Sequence, residues 1–267
     1  MRRSVLWLVT VLLTAGAAIW QRVSGPTWPV VDSFHLPDGR QVRYRLPRSA
    51  EAGRDLRVLL EVSGEAPSGV VRCRRVPSKE DWQLLALAPQ SQGGKQQLVA
   101  FLPAQPPAGK LAYQFLLSLK ANAPEVPVPT QPVVVRFKGR VPLGLLVFHI
   151  GAMFFGMLLG NRVGVGAVFG EAPSQRLVQL TLACFIVGGL VLGPLVQKAA
   201  FGVFWSGFPV GRDLTDTKTL LFAVAWAGAA GFGSGQRRWP VLVAFLLTLL
   251  AFLVPHSVWG SEIRWYQ

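Results

Sequence analysis

Five long apolar runs, at residues 5–20, 141–160, 177–197, 220–233 and 240–255, decide most of what this 267-residue chain can fold into. A helix needs roughly 20 apolar residues to cross about 30 Å of hydrocarbon. The run at 220–233 is short of that unless its helix starts back near Asp213. A hydrophobic fraction of 51% and a mean hydropathy of +0.39 are too high for an ordinary soluble domain. The sequence therefore predicts a C-terminal bundle of four transmembrane helices, at 141–160, 177–197, 215–233 and 239–256, within a membrane domain spanning 141–258.

Arg2 and Arg3 precede the first run, which continues to an interfacial Trp20, so residues 1–21 read as a signal anchor. Ala15-Gly16-Ala17 is a passable small-x-small cleavage site, and a removed signal peptide is the alternative. With the N-terminus in the cytoplasm, Arg162 with Arg176 and Arg237 with Arg238 fall on that same side, as the positive-inside rule requires. Residues 28–138, the loop around Trp205 and the tail 259–267 then face outward. A bacterial inner (plasma) membrane is the expected location.

The formal charge of +14 would point a soluble protein towards nucleic acid. Beside membrane segments it fixes topology and attracts anionic headgroups. The expected partners are the lipid bilayer and a membrane or periplasmic protein, with no nucleic acid. Cys73 and Cys184 sit in different textures, one strand-like and one apolar, and no disulfide between them is expected.

Residues 28–138 change to short alternating runs broken by Pro and Gly. Val42, Tyr44 and Leu46 alternate with arginines, and Leu111, Tyr113, Phe115, Leu117 and Leu119 share one face. About seven strands are expected, forming an exported all-β sandwich. Arg72, Arg74 and Arg75 around Cys73 read as a charge-protected strand edge. The proline-rich stretch 121–132 reads as a stiff extended loop or edge. The run from Phe101-Leu102-Pro103 to Ala112-Tyr113 resembles the approach to the sixth strand of fibronectin type III and related immunoglobulin-like domains, which implies a tyrosine corner at Tyr113. Trp82, Leu102 and Tyr113-Gln114-Phe115 also resemble starch-binding modules of that class, although no cluster of exposed aromatics accompanies them.

Two constellations in the membrane half carry chemistry. Arg212, Asp213, Asp216 and Lys218 lie between two apolar runs, where charges must be paired or set at the bilayer edge. Asp213 or Thr215 can cap the following helix, and Lys218 can pair with either aspartate. Together with His256 and Glu262 they form a candidate outer-side site for a ligand, proton or cation. His149, Met153 and Met157 lie at i, i+4 and i+8 on one helix stripe. With His256 they are candidate donors for copper or haem b, and ordinary helix packing is the simpler reading. No Gly-x-Ser-x-Gly, His-Glu-x-x-His or Walker-type loop is present, so a hydrolase is the weakest alternative.

Trp205-Ser206-Gly207-Phe208-Pro209, Asp213-Leu214-Thr215-Asp216 and Pro255-His256-Ser257 resemble motifs of a group of bacterial polytopic inner-membrane proteins with an exported immunoglobulin- or fibronectin-III-like sandwich. That resemblance implies the architecture and attaches no reaction. The expected function is a non-catalytic membrane subunit or binding protein.

Overall fold

A computed structural model describes residues 3–119, 124–232 and 237–255, which divide into two compact units. One is centred on Thr27–Arg140; the other joins Met1–Pro26 to the chain after Val141.

The first unit consists of two five-stranded sheets packed around a common core, and its described residues form ten strands rather than about seven. One sheet has the order β1 (Val30–His35), β2 (Gln41–Leu46), β4 (Leu56–Val62), β8 (Lys95–Leu102) and β7 (Ala88–Gln92). The other runs β3 (Ser49–Glu51), β10 (Val126–Lys138), β9 (Lys110–Ser118), β5 (Ser68–Arg75) and β6 (Gln83–Ala86). Neighbouring strands are antiparallel except β10 and β3. Alternation sets the inner faces: Val42, Tyr44 and Leu46 are buried while Arg43 and Arg45 are exposed. Val58, Leu60 and Leu98 meet Val71, Phe115 and Val135 from the opposite sheet.

Four expectations change here. β5 is an interior strand, hydrogen-bonded to both β9 and β6, so the arginines around Cys73 protect no edge. Arg72 and Arg74 instead lie over Trp82, 4.7 and 4.6 Å from the ring centroid, and Arg75 sits 3.6 Å from Glu80. Trp82 is therefore occupied by cations and offers no sugar platform. Tyr113 does not close a local corner: its hydroxyl donates to the Pro47 carbonyl at 2.9 Å, 66 residues away, where the chain leaves one sheet for the other. The proline-rich stretch is strand from Val126 onward, interrupted by a register shift between Val128 and Val133. That bulge places the Pro129 and Thr130 carbonyls over the buried Gln114 amide, at 2.6 and 3.1 Å, while Arg72 donates to its oxygen.

The second unit is helical: α1 (Arg3–Val23), α2 (Leu143–Val168), α3 (Gln175–Phe185), α4 (Gly193–Phe201), α5 (Leu214–Phe232) and α6 (Trp239–Leu253). α3 and α4 run through a π-helical stretch, Ile186–Leu192, as one helix of 27 residues. Among the described residues three helices are long and apolar enough to cross a membrane: Arg3–Val23, Leu143–Val168 and Gln175–Phe201. α6 is apolar but has 15 residues, and α5 has 19 and opens with Asp216 and Lys218. The wide turn falls just before Pro194; a proline cannot supply the N–H that an α-turn needs, and the Gly193 N–H reaches back to Gly188 instead.

α1 packs through Leu6, Thr10, Thr14 and Ala17, one stripe at helical spacing. α2 continues past Gly160 to Val168, so Asn161 and Arg162, expected in a connector, are buried helix residues. Asn161 donates to the Thr14 hydroxyl at 2.9 Å. A Cβ at Gly160 would lie 2.7 Å from Trp226, and one at Gly164 2.1 Å from Phe245, so α2 needs bare backbone to meet its neighbours. Phe185, Phe222 and Phe252 stack in the middle, with centroids 5.1 Å apart in each successive pair.

Tyr113→Phe leaves the Pro47 carbonyl without its donor and should cost about 1–2 kcal/mol of sandwich stability with the fold retained, read by denaturant unfolding. Burial also pushes the Cys73 thiol up. At pH 8 the native protein should react with maleimide at Cys73 no faster than the sandwich opens; immediate labelling would contradict the buried placement.

Candidate functional site

The best-defined polar cluster lies where α5 begins, α6 ends and α1 ends. It starts as a helix-capping problem: the first N–H groups of α5 and the last C=O groups of α6 have no partner within their own helices. Asp213 solves the first part, its Oδ1 accepting the Thr215 N–H at 2.8 Å. Asp216, one turn in and 7% exposed, turns towards the preceding loop. Its Oδ2 accepts the Ser206 N–H at 2.6 Å, the Gly207 N–H at 3.0 Å and the Ser206 hydroxyl at 3.3 Å. Gln197, near the end of α4, donates to Ser206 Oγ at 2.6 Å.

The loop Trp205–Gly211 is thereby wrapped onto the first turn of α5. Thr217 Oγ1 accepts the Phe208 N–H at 3.1 Å and donates to the Asp213 carbonyl at 2.8 Å. Gly207 is required by space: a Cβ there would lie 2.5 Å from Asp216 Cβ and 2.8 Å from the Thr217 nitrogen. Trp205 donates to the Phe208 carbonyl at 3.1 Å.

Lys218 forms an ion pair with neither aspartate. Its Nζ donates to the Val254 carbonyl at 2.6 Å, the extended residue that ends α6. Gln21 from α1 donates to the same carbonyl at 3.1 Å and to that of Phe252, and Trp20 donates to that of Leu253 at 2.7 Å. Three consecutive carbonyls at the end of α6 are thus capped by side chains of α1 and α5. A cation at a helix C-terminus is favoured by the helix dipole. Arg212 is exposed on the loop and makes no part of this clasp. His256 and Glu262 lie outside the described residues.

The His-Met stripe is divided by its surroundings. His149 Nδ1 donates to the Gly188 carbonyl of the π-helical stretch at 2.8 Å. A Cβ at Gly188 would lie 3.2 Å from Met153 Sδ, so that thioether packs on the same glycine surface. Met157 is fully buried in the aromatic core. Among the described residues no group of three or more His, Cys, Asp or Glu side chains converges on a common point.

A second polar cluster escaped the sequence reading. Arg162, in the C-terminal turns of α2, pairs with Glu171 at 2.9 Å and lies over Trp7 of α1 at 5.5 Å. Its only sequence signal is that Glu171 is the one acidic residue between Arg140 and Asp213. The partners in the first cluster were equally invisible: Gln21 and Gln197 are lone amides at the ends of apolar runs, Gln21 serving carbonyls more than 230 residues away and Gln197 the Ser206 hydroxyl in the following loop.

No family model matches this chain, and no curated protein matches it. Among solved structures it is similar to Astrotactin-2, described as a conserved vertebrate-specific and perforin-like membrane protein involved in neuronal development, at 9% identity and a TM-score of 0.25. The match covers 85% of this chain and 36% of that one, and a likeness of that degree carries no argument about fold or function.

Asp216→Ala strands two backbone N–H groups and should cost about 3 kcal/mol, read as a lowered unfolding temperature in detergent. Gly207→Ala should cost a comparable amount by forcing the loop off α5. Arg212→Ala should stay within about 0.5 kcal/mol; equal losses from all three would contradict the clasp.

Proposed function

We propose that this chain is a non-catalytic integral protein of a bacterial plasma membrane, a subunit or binding protein whose exported β-sandwich docks a protein partner. One observation carries the reading: the ionisable groups of the clasp are engaged by the protein's own backbone. Asp213 holds the start of α5, Asp216 the loop before it, and Lys218 the end of α6. A catalytic or transport site needs such groups turned towards a substrate. Here they fix helix ends, and partner recognition is left to the sandwich.

In this reading α1, α2 and the α3–α4 helix span the bilayer, and α5 and α6 complete a five-helix bundle, their shortfall in length met by the polar clasp at the outer surface. The basic pairs Arg237–Arg238 and Arg2–Arg3, with Arg176, then lie on the cytoplasmic side. The sandwich, joined to the chain after α1 and before α2, is on the periplasmic side. The contacts of α1 support a retained anchor over a cleaved signal peptide. Thr14, Trp20 and Gln21 hold Asn161 and the end of α6, and loss of residues 1–17 would remove the first of these and expose Asn161 in the bundle. The implied membership of a family of bacterial inner-membrane proteins with an exported sandwich accords with this layout.

A second reading has one observation in its favour. The His149 Nδ1–H is held by a backbone carbonyl, which leaves Nε2 as a metal donor in the manner of ligating histidines. Copper or haem b at His149 with Met153 is that alternative.

The intact mass of the purified protein should include residues 1–23, and protease added to spheroplasts should remove the sandwich while sparing the helices. A mature chain starting near Ala17, or a sandwich protected until lysis, would overturn the topology. A Soret band or stoichiometric copper lost in His149→Ala would establish the second reading; a colourless, metal-free preparation removes it.

A further inference from the structure

The outward face of the β1-β2-β4-β8 sheet has a polarity that folding does not require. Strand register lays it out in cross-strand rows. Ser33, Arg43, Glu61 and Gln97 form one row, and beside it Val31 pairs with Arg45 and Leu59 with Val99. Between them lies a groove of about 470 Å³, lined by Val31, Ser33, Arg43, Arg45, Leu59 and Glu61 together with Asp32 and Tyr44, which alternate to the opposite face. That volume falls within the range of ligand-binding clefts.

Its charges are unequally engaged. Glu61 takes Lys95 at 3.3 Å rather than the arginine beside it in register. Asp32 Oδ1 accepts the Ser33 N–H at 2.7 Å. Arg43 and Arg45 are exposed and project from the same side of β2, two residues apart. The unit that carries them, residues 27–140, has 16 Lys and Arg against 9 Asp and Glu, a balance of +7.

We propose that this groove binds an extended acidic segment of a protein partner, with carboxylates at alternate positions engaging Arg43 and Arg45 and their methylene stems lying over Val31 and Leu59. Two residues of extended chain advance about 6.6 Å, so a strand-like ligand with acidic residues at i and i+2 repeats the spacing of the two guanidiniums. Each guanidinium can take a carboxylate in a bidentate fork, the geometry that favours Arg over Lys. A concave site selects a projecting chain over a flat headgroup layer. The proposal rests on the reading of the sandwich as a docking domain and assigns it a face and a ligand chemistry.

The test uses the full chain in nanodiscs of neutral lipid and a fluorescent ten-residue peptide alternating Glu and Thr. Binding should weaken at least tenfold between 50 and 300 mM salt, an order-of-magnitude expectation for two exposed ion pairs. The double variant Arg43→Gln/Arg45→Gln should weaken it at least tenfold, while Arg54→Gln, on a turn outside the groove, changes it by less than about twofold, the scale of one screened surface charge. A peptide of the same composition ordered Glu-Glu-Thr-Thr-Glu-Glu-Thr-Thr-Glu-Thr, which places no two glutamates at i and i+2, should bind less well. No binding, equal binding of the two peptides, or binding indifferent to the double variant overturns the inference. Capture of phosphatidylglycerol vesicles by the wild-type chain, lost in the double variant and with the peptide unbound, overturns it in favour of a lipid surface. A partner that co-purifies equally with wild type and double variant would sink the groove and leave the docking role of the sandwich standing.

Discussion

A backbone carbonyl at the end of a helix must find a donor, and near hydrocarbon water does not supply one freely. This constraint organises the helical unit. α6 ends abruptly at Leu253 with an extended residue after it, and the carbonyls of Phe252, Leu253 and Val254 are capped by Gln21, Trp20 and Lys218. These donors come from the ends of two other helices, so capping one terminus also fixes the lateral order of α1, α5 and α6. Asp216 does the converse for N–H groups of the loop before α5. Charged side chains beside a membrane are expensive when they lack partners, and here each is matched to a backbone dipole of the opposite sign.

In the sandwich the corresponding requirement falls on side chains. Gln114 is buried on an outward face, and it is tolerable there because its oxygen receives Arg72 and its nitrogen donates to the bulge in β10. The bulge thus supplies the carbonyls a straight strand would have turned into the ladder. Tyr113 holds the crossover at Pro47 in the same manner, with the whole ring inside the core and only the hydroxyl reaching the backbone.

Strands with one buried face were legible in the sequence because their alternation is set by burial: β2, β4 and β9 can be read directly from Val42 to Leu46, Leu56 to Val62 and Leu111 to Leu117. β7 was not, since all five of its residues are exposed and carry no periodic signal. β1 was obscured by Asp32, which sits at an inner-face position on an edge. The extension of α2 was hidden because Asn161-Arg162 looks like a connector until Thr14, remote in sequence, meets Asn161 and Glu171 folds back onto Arg162. The candidate site followed the same logic. The cluster Asp213, Asp216 and Lys218 was visible as charges out of place, but its partners are main-chain atoms, and no sequence pattern announces which carbonyl a lysine will meet.

The π-helical stretch between α3 and α4 has a further consequence. A π-turn behaves as an α-turn holding one residue more than it needs, so it re-phases everything that follows by about 100°. Upstream, the helix presents Val178, Thr181 and Phe185 to its neighbours; downstream it turns Gln197 towards Ser206. The two halves are one rod mechanically and two rods in azimuth. A single-residue deletion between Ile186 and Leu192 would therefore shorten the helix by a trivial distance while swinging its far half away from the loop it serves.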